Sequence, residues 1–133
     1  MENVHVFIST GRFSSFEELR SFIDPQYTED GDSVPSQFMR EVDLSGYEPG
    51  CIEAIHSERP LPLAELLAGA SYADQWLSQL DGTLTADAAI CVFPSNVVGN
   101  PQGCSLTYVG SFNYSVVHSD WFQQRLHQGK DPA

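Results

Sequence analysis

The stretch Ser105–Val117, Ser-Leu-Thr-Tyr-Val-Gly-Ser-Phe-Asn-Tyr-Ser-Val-Val, decides the fold class. Apolar and polar residues alternate along it with a two-residue period, which predicts a β-strand with one buried face. The apolar row is Leu106, Tyr108, Phe112, Tyr114 and Val116, and the polar row is Thr107, Ser111, Asn113 and Ser115. Gly110 interrupts the apolar row. A glycine inside a strand indicates a bulge or a close backbone approach.

Two further segments have strand patterns. Val4–Ser9 alternates in the same way, and Ala88–Phe93 is apolar on both faces, as in a central strand that is covered on both sides. Cys51–His56 fits either a strand or one helical turn. Ser57–Pro62 contains two prolines and is interpreted as a connector. We expect the three clear strands to belong to one sheet.

Helices are predicted between the strands. Ser15 and Glu18 have the spacing of a capping box, so a short amphipathic helix should run to about Ile23. Ser36 is expected to cap a second short helix that buries Phe38, Met39 and Val42.

Later helices follow from the same apolar spacing. It predicts a helix over Leu63–Ala70, a new helix that starts at Ser71, and a terminal helical turn capped by Ser119. The fold class is therefore α+β, with a small, mostly antiparallel sheet of three to four strands and helices packed against it.

Length and charge limit the classes of function. The 133 residues fit a single domain, residues 1–133, which is long enough to bury a core. Eighteen acidic residues outnumber six basic ones, for a formal net charge of −12. Such a chain repels nucleic acid and anionic membranes, and it suits either a basic partner or simple solubility.

The location of the protein is also predicted from composition. No stretch approaches the roughly 20 apolar residues of a membrane span. The first residues lack the basic start and apolar run of a signal peptide. Three widely spaced cysteines, Cys51, Cys91 and Cys104, form no disulfide framework, which favours a reducing compartment. We expect a cytoplasmic protein, and the sequence leaves its oligomeric state open.

No catalytic or metal motif stands out. The histidines and cysteines lack metal-site spacing, so neither a metal nor a cofactor is expected. One alternative stays open at this point. The chain could be a small enzyme or ligand-binding domain with a pocket near Cys91, Tyr108 and His118.

Acidic residues are concentrated in one segment. Asp24–Glu53 has eight acids against a single base, Arg40, so its charge of −7 is more than half of the total in under a quarter of the chain. It can be a solvated loop region or a docking face for a basic protein. If the segment is a docking face, tight binding also needs an apolar anchor, for which Tyr47 is the candidate. The expected partner contacts are Glu29, Asp30, Asp32, Glu41, Asp43, Tyr47, Glu48 and Glu53.

Three stretches of the chain resemble a known family. They are Val4–Ile8, Arg12–Leu19 and Leu106–Tyr114, and together they resemble the immunity protein 22 family of bacterial polymorphic toxin systems. The resemblance implies a small α+β cytoplasmic protein that is encoded beside a toxin. It also implies that the protein binds and neutralises that toxin, often a nuclease or deaminase, without chemistry of its own.

Overall fold

The computed structural model describes residues 2–116. The strands are, in chain order, β1 (Glu2–Ser9), β2 (Gln26–Tyr27), β3 (Ser33–Val34), β4 (Leu44–Ser45), β5 (Ile52–Pro62), β6 (Thr85–Val92), β7 (Val97–Val98) and β8 (Thr107–Tyr114). The α-helices are α1 (Phe16–Ile23), α2 (Gln37–Glu41), α3 (Leu63–Leu66) and α4 (Ala73–Trp76). Short 3-10 turns cover Pro49–Cys51, Leu77–Gln79 and Pro101–Gly103.

A four-stranded antiparallel sheet with the order β5-β6-β1-β8 forms the centre of the fold. The three strands predicted from the sequence all belong to it, which confirms the α+β class. Two further ribbons, β2 with β3 and β4 with β7, have two strands each.

The fourth strand corrects one prediction. Ser57–Pro62 is not a connector, because β5 continues through it to Pro62. The pairing of β5 with β6 is interrupted between His56 and Leu61 and then resumes. Since β5 lies at the edge of the sheet, Pro60 can occupy this interruption without removing a backbone hydrogen bond between central strands.

β8 contains the bulge that Gly110 predicts, and the bulge changes which residues share a face. Val6 pairs with Gly110 and Phe7 pairs with Tyr108, so one extra residue is inserted on β8. The φ angle of Gly110 is +144°, a backbone conformation that residues with a side chain rarely adopt. The extra residue reverses the alternation of the strand.

The prediction of one buried face on β8 is therefore wrong. Leu106 and Tyr108 pack with the residues on one face of the sheet, whereas Phe112 and Tyr114 pack with those on the other.

Helices cover both faces of the sheet. On the face that we call the α1/α2 face, Phe7 and Ile90 pack against α1 and α2. On the opposite face, which we call the α3/α4 face, Val6 and Cys91 pack against α3 and α4. Trp76 of α4 is fully buried there. The sheet is therefore the middle of three layers.

The two predicted N-caps of the early helices are confirmed. The Ser15 hydroxyl accepts a 3.1 Å hydrogen bond from the Glu18 N–H, and the Ser36 hydroxyl accepts one of 3.1 Å from Met39. The Ser36 hydroxyl also donates to the Ile23 carbonyl at 2.7 Å, which fixes the start of α2 on the end of α1.

The later helices differ from their predictions. α3 is only one turn long, and α4 begins at Ala73 after Tyr72, whose φ angle is 58°. Ser71 is not the cap because its N–H and hydroxyl both donate to Glu53 on β5. The turn predicted after Ser119 lies outside the described residues.

Candidate functional site

The first part of the acidic segment forms a hairpin between α1 and α2. β2 and β3 pair so that Gln26 lies opposite Val34 and Tyr27 opposite Ser33. Neither strand packs extensively on another element of the described chain. The hairpin is therefore a projection on the side of the molecule that carries α1 and α2.

The loop of this hairpin has its own hydrogen bonds. The Thr28 N–H donates to the Asp32 carbonyl at 2.9 Å, and the Gly31 N–H donates to the Thr28 carbonyl at 2.9 Å. Gly31 has a φ angle of +86°, which a glycine adopts without strain. The loop holds Glu29, Asp30 and Asp32 together, and all three side chains are exposed.

Glu41, at the end of α2, is held by a different set of donors. Its Oε1 accepts bonds from the Ser105 N–H at 2.7 Å and the Ser105 hydroxyl at 2.8 Å, and its Oε2 accepts one from Gln37 at 2.7 Å. Partial burial acts to raise the pKa of Glu41, but the bonds from Ser105 and Gln37 outweigh it and leave the pKa below its ordinary value.

Asp43 and Glu48 lie against the loop that follows β6. The Asp43 carbonyl accepts a 3.1 Å bond from Gly99, and the φ angle of Asp43 is 52°. The Glu48 N–H donates to the buried Asn96 side chain at 2.7 Å, and Asn96 donates back to the Glu48 carbonyl at 3.0 Å. Both carboxylates remain exposed.

Tyr47 has an internal role. It is half-buried against the α1/α2 cluster, and its hydroxyl donates to Asp24 at 2.7 Å. Asp24 also binds Arg20, which donates to the Ile52 carbonyl at 3.0 Å. Burial and the bond to Asp24 raise the pKa of Tyr47 to about 12. Its hydroxyl is thus committed to a contact within the chain.

The eight expected contacts therefore do not form one surface. Glu29, Asp30 and Asp32 share one loop, and Glu41 and Asp43 share the end of α2. Glu53 lies elsewhere, because its carboxylate binds Ser71 beside α4 on the α3/α4 face.

A cleft of about 370 Å³ lies where the sheet meets the start of α4. Glu2, Glu53, Tyr72 and Tyr114 line it, and the two tyrosine rings stack with centroids 4.6 Å apart. Burial, followed by the charge of Glu2, raises the pKa of Tyr114 to about 12. No local sequence pattern indicates this cleft, because its lining residues are spread along the chain from Glu2 to Val116.

The alternative prediction places Cys91 and Tyr108 at one pocket, and for these two described residues it is wrong. Cys91 is fully buried on the α3/α4 face, and Tyr108 packs on the α1/α2 face, where its hydroxyl lies 2.9 Å from His5 Nδ1. Burial, and then the charge of Glu53, raises the pKa of the Cys91 thiol, so the reactive thiolate is disfavoured. His118 lies outside the described residues.

Residues 2–116 contain neither a metal-binding cluster nor a membrane-spanning helix. No group of three or more His, Cys, Asp or Glu side chains in this range is placed to hold a metal ion. None of the helices in this range has the length and hydropathy that a membrane span requires.

The fold and this surface define a small acidic α+β protein with a projecting, negatively charged hairpin. The family described as Immunity protein 22 matches residues 6–115, and the chain belongs to that family. The match includes all three stretches that carry the resemblance apart from the first two residues of Val4–Ile8. No curated protein and no solved structure is detectably similar to the chain.

Proposed function

We propose that this protein binds a cognate bacterial toxin and neutralises it as a stoichiometric inhibitor, without chemistry of its own. Membership of the immunity family implies a toxin as the partner, and it is the observation that carries the proposal. The protein would act in the cytoplasm, where it meets the toxin.

The proposed toxin acts on nucleic acids. Enzymes that cut or modify nucleic acids bind phosphates with basic clefts, and such clefts attract a polyanion. The inhibitor has a formal net charge of −12, with −7 concentrated between Asp24 and Glu53. An acidic protein can occupy the cleft in place of the nucleic acid.

The docking surface is proposed to lie around the hairpin and α2. Glu29, Asp30 and Asp32 are exposed, so their carboxylates are available to basic side chains of the toxin. Glu41, Asp43, Tyr47 and Glu48 complete the proposed surface on the side of α2 and the β4–β7 ribbon. Glu53 faces the opposite side of the sheet and contributes long-range attraction rather than contacts.

Co-expression tests the proposal. The toxin domain encoded beside this gene should stop growth when it is expressed alone and permit growth when this protein is co-expressed. Calorimetry with the purified domains should give one inhibitor per toxin. The proposal would be contradicted by growth arrest despite co-expression, or by inactivation of many toxin molecules by one molecule of this protein.

A further inference from the structure

We infer that Tyr27 is the apolar anchor of the docking surface, and that the β2–β3 hairpin inserts it into a basic cleft of the toxin. This inference rests on the proposed function, because it takes the toxin as the partner. It names a residue and an element that the acidity of the segment does not identify.

The exposure of Tyr27 is the first observation. The residue is 67% exposed, more than any other large hydrophobic residue in the described part of the chain. Within residues 2–116 its hydroxyl has no hydrogen-bond partner. The residue thus contributes little to the core, whereas Tyr is one of the residue types enriched at binding hot spots.

The charges around Tyr27 indicate the chemistry of the partner. Glu29, Asp30 and Asp32 follow it in the same hairpin, and no Lys or Arg occurs between Arg20 and Arg40. A second copy of this chain would bring like charges together, and nucleic acid would be repelled as well. A basic protein surface is the complementary occupant.

The hairpin presents Tyr27 with its backbone already ordered. The loop is closed by the bonds of Thr28, and an additional bond of 3.1 Å joins the Asp32 N–H to the Thr28 hydroxyl. Ser36 then ties the end of the hairpin to Ile23 of the core. Because little order is gained on binding, more of the contact energy appears as affinity.

Tyr27 suits this role better than Tyr47. The Tyr47 ring packs in the α1/α2 cluster, and its hydroxyl binds Asp24. A toxin could use Tyr47 as a buried anchor only after breaking that bond, whereas Tyr27 is available without rearrangement.

Dissociation kinetics test the inference. The probe is the toxin domain encoded beside this gene, made as a catalytically inactive variant, and the variants are Tyr27→Ala and Tyr27→Phe. Tyr27→Ala should raise the dissociation rate roughly 30-fold, as expected for a central hot spot, and Tyr27→Phe should raise it less. Phe16→Ala is the matched control, because Phe16 is a 47% exposed aromatic residue at the far end of α1. The dissociation rate of Phe16→Ala should change less than about twofold.

The outcomes separate the inference from the proposed function. If the wild-type protein binds the toxin and Tyr27→Ala dissociates within twofold of it, the inference is wrong and the proposed function stands. If the wild-type protein does not bind, the proposed function fails. Thermal unfolding of Tyr27→Ala checks that the variant is folded. If its unfolding temperature is lowered, Tyr27→Lys and amide hydrogen exchange of the hairpin in the wild-type complex replace it as the test. Lack of protection at Gln26–Val34 would then overturn the inference.

Discussion

The Tyr47 hydroxyl donates a 2.7 Å hydrogen bond to the Asp24 carboxylate, 23 residues earlier in the chain. The same carboxylate binds Arg20 on α1. This relationship joins the turn before β5 to the end of α1. It commits the hydroxyl of a tyrosine that the sequence analysis proposes as a surface anchor to a contact within the chain.

Replacement of Tyr47 should therefore affect stability more than binding. Tyr47→Phe removes the bond to Asp24 and should lower the free energy of unfolding by about 1 kcal/mol. Urea unfolding monitored by fluorescence measures this change. Tyr27→Phe is the matched control and should leave stability within about 0.5 kcal/mol, since its hydroxyl is exposed. Equal losses from the two variants would contradict the role given to Tyr47.

Glu41 should make stability depend on pH. Its folded-state pKa lies below the ordinary value of 4.5, because the bonds from Ser105 and Gln37 outweigh partial burial. The stabilisation from a depressed carboxyl pKa is present above the ordinary value and is lost as the pH falls through the folded-state pKa. The advantage of the wild type over Glu41→Gln should thus be largest at neutral pH.

Urea unfolding at pH about 7 and about 3 tests this dependence. A double-mutant cycle with Ser105→Ala should show stronger coupling at the higher pH than at the lower one. A difference between wild type and Glu41→Gln that is the same at both pH values would contradict the account.

Two glycines allow the loop after β7 to approach α2 and β4. A Cβ atom on Gly103 would clash with the Glu41 carbonyl oxygen, and one on Gly99 would lie 2.9 Å from the Asp43 carbonyl oxygen. Gly103→Ala should therefore lower the free energy of unfolding by about 1–3 kcal/mol. Gly69→Ala is the matched control, because a Cβ atom there meets nothing within 4 Å, and it should be neutral or slightly stabilising. Thermal unfolding that ranks the two variants in the opposite order would rule out this packing.

Much of the fold could be predicted because local patterns determine it. The alternation in Val4–Ser9 and the spacing after Ser15 identify β1 and α1 without tertiary information. β5 was missed beyond His56, because Pro60 argues against a strand unless the strand is known to lie at an edge. The change of face on β8 depends on the bulge, whose effect on packing appears only when β1 is in place.

The site was predictable in charge but not in shape. Counting acids identifies the segment that contains Glu29, Asp30 and Asp32. It cannot show that Glu53 faces the other side of the sheet, since that follows from its contact with Ser71. The hairpin does have a local signal, because Gly31 lies in a loop between Tyr27 and Val34, two residue types that favour strands.

The acidic hairpin is predicted to speed association with the toxin. The variant Glu29→Lys, Asp30→Lys, Asp32→Lys should lower the association rate about tenfold at low salt. A matched triple variant, Glu58→Lys, Glu65→Lys, Asp74→Lys, changes the net charge equally at exposed positions on β5, α3 and α4. Asp43 is left unchanged, because its φ angle of 52° would confound the effect of charge with backbone strain.

The association rate of these two triple variants with the inactive toxin domain, measured from low to high salt, tests most directly whether the hairpin docks the toxin. The hairpin variant should associate more slowly than the control variant at low salt, and the difference should disappear as salt screens the charges. If both variants associate at the same rate at every salt concentration, the hairpin does not dock the toxin, and its acidic residues contribute only to the general charge of the protein.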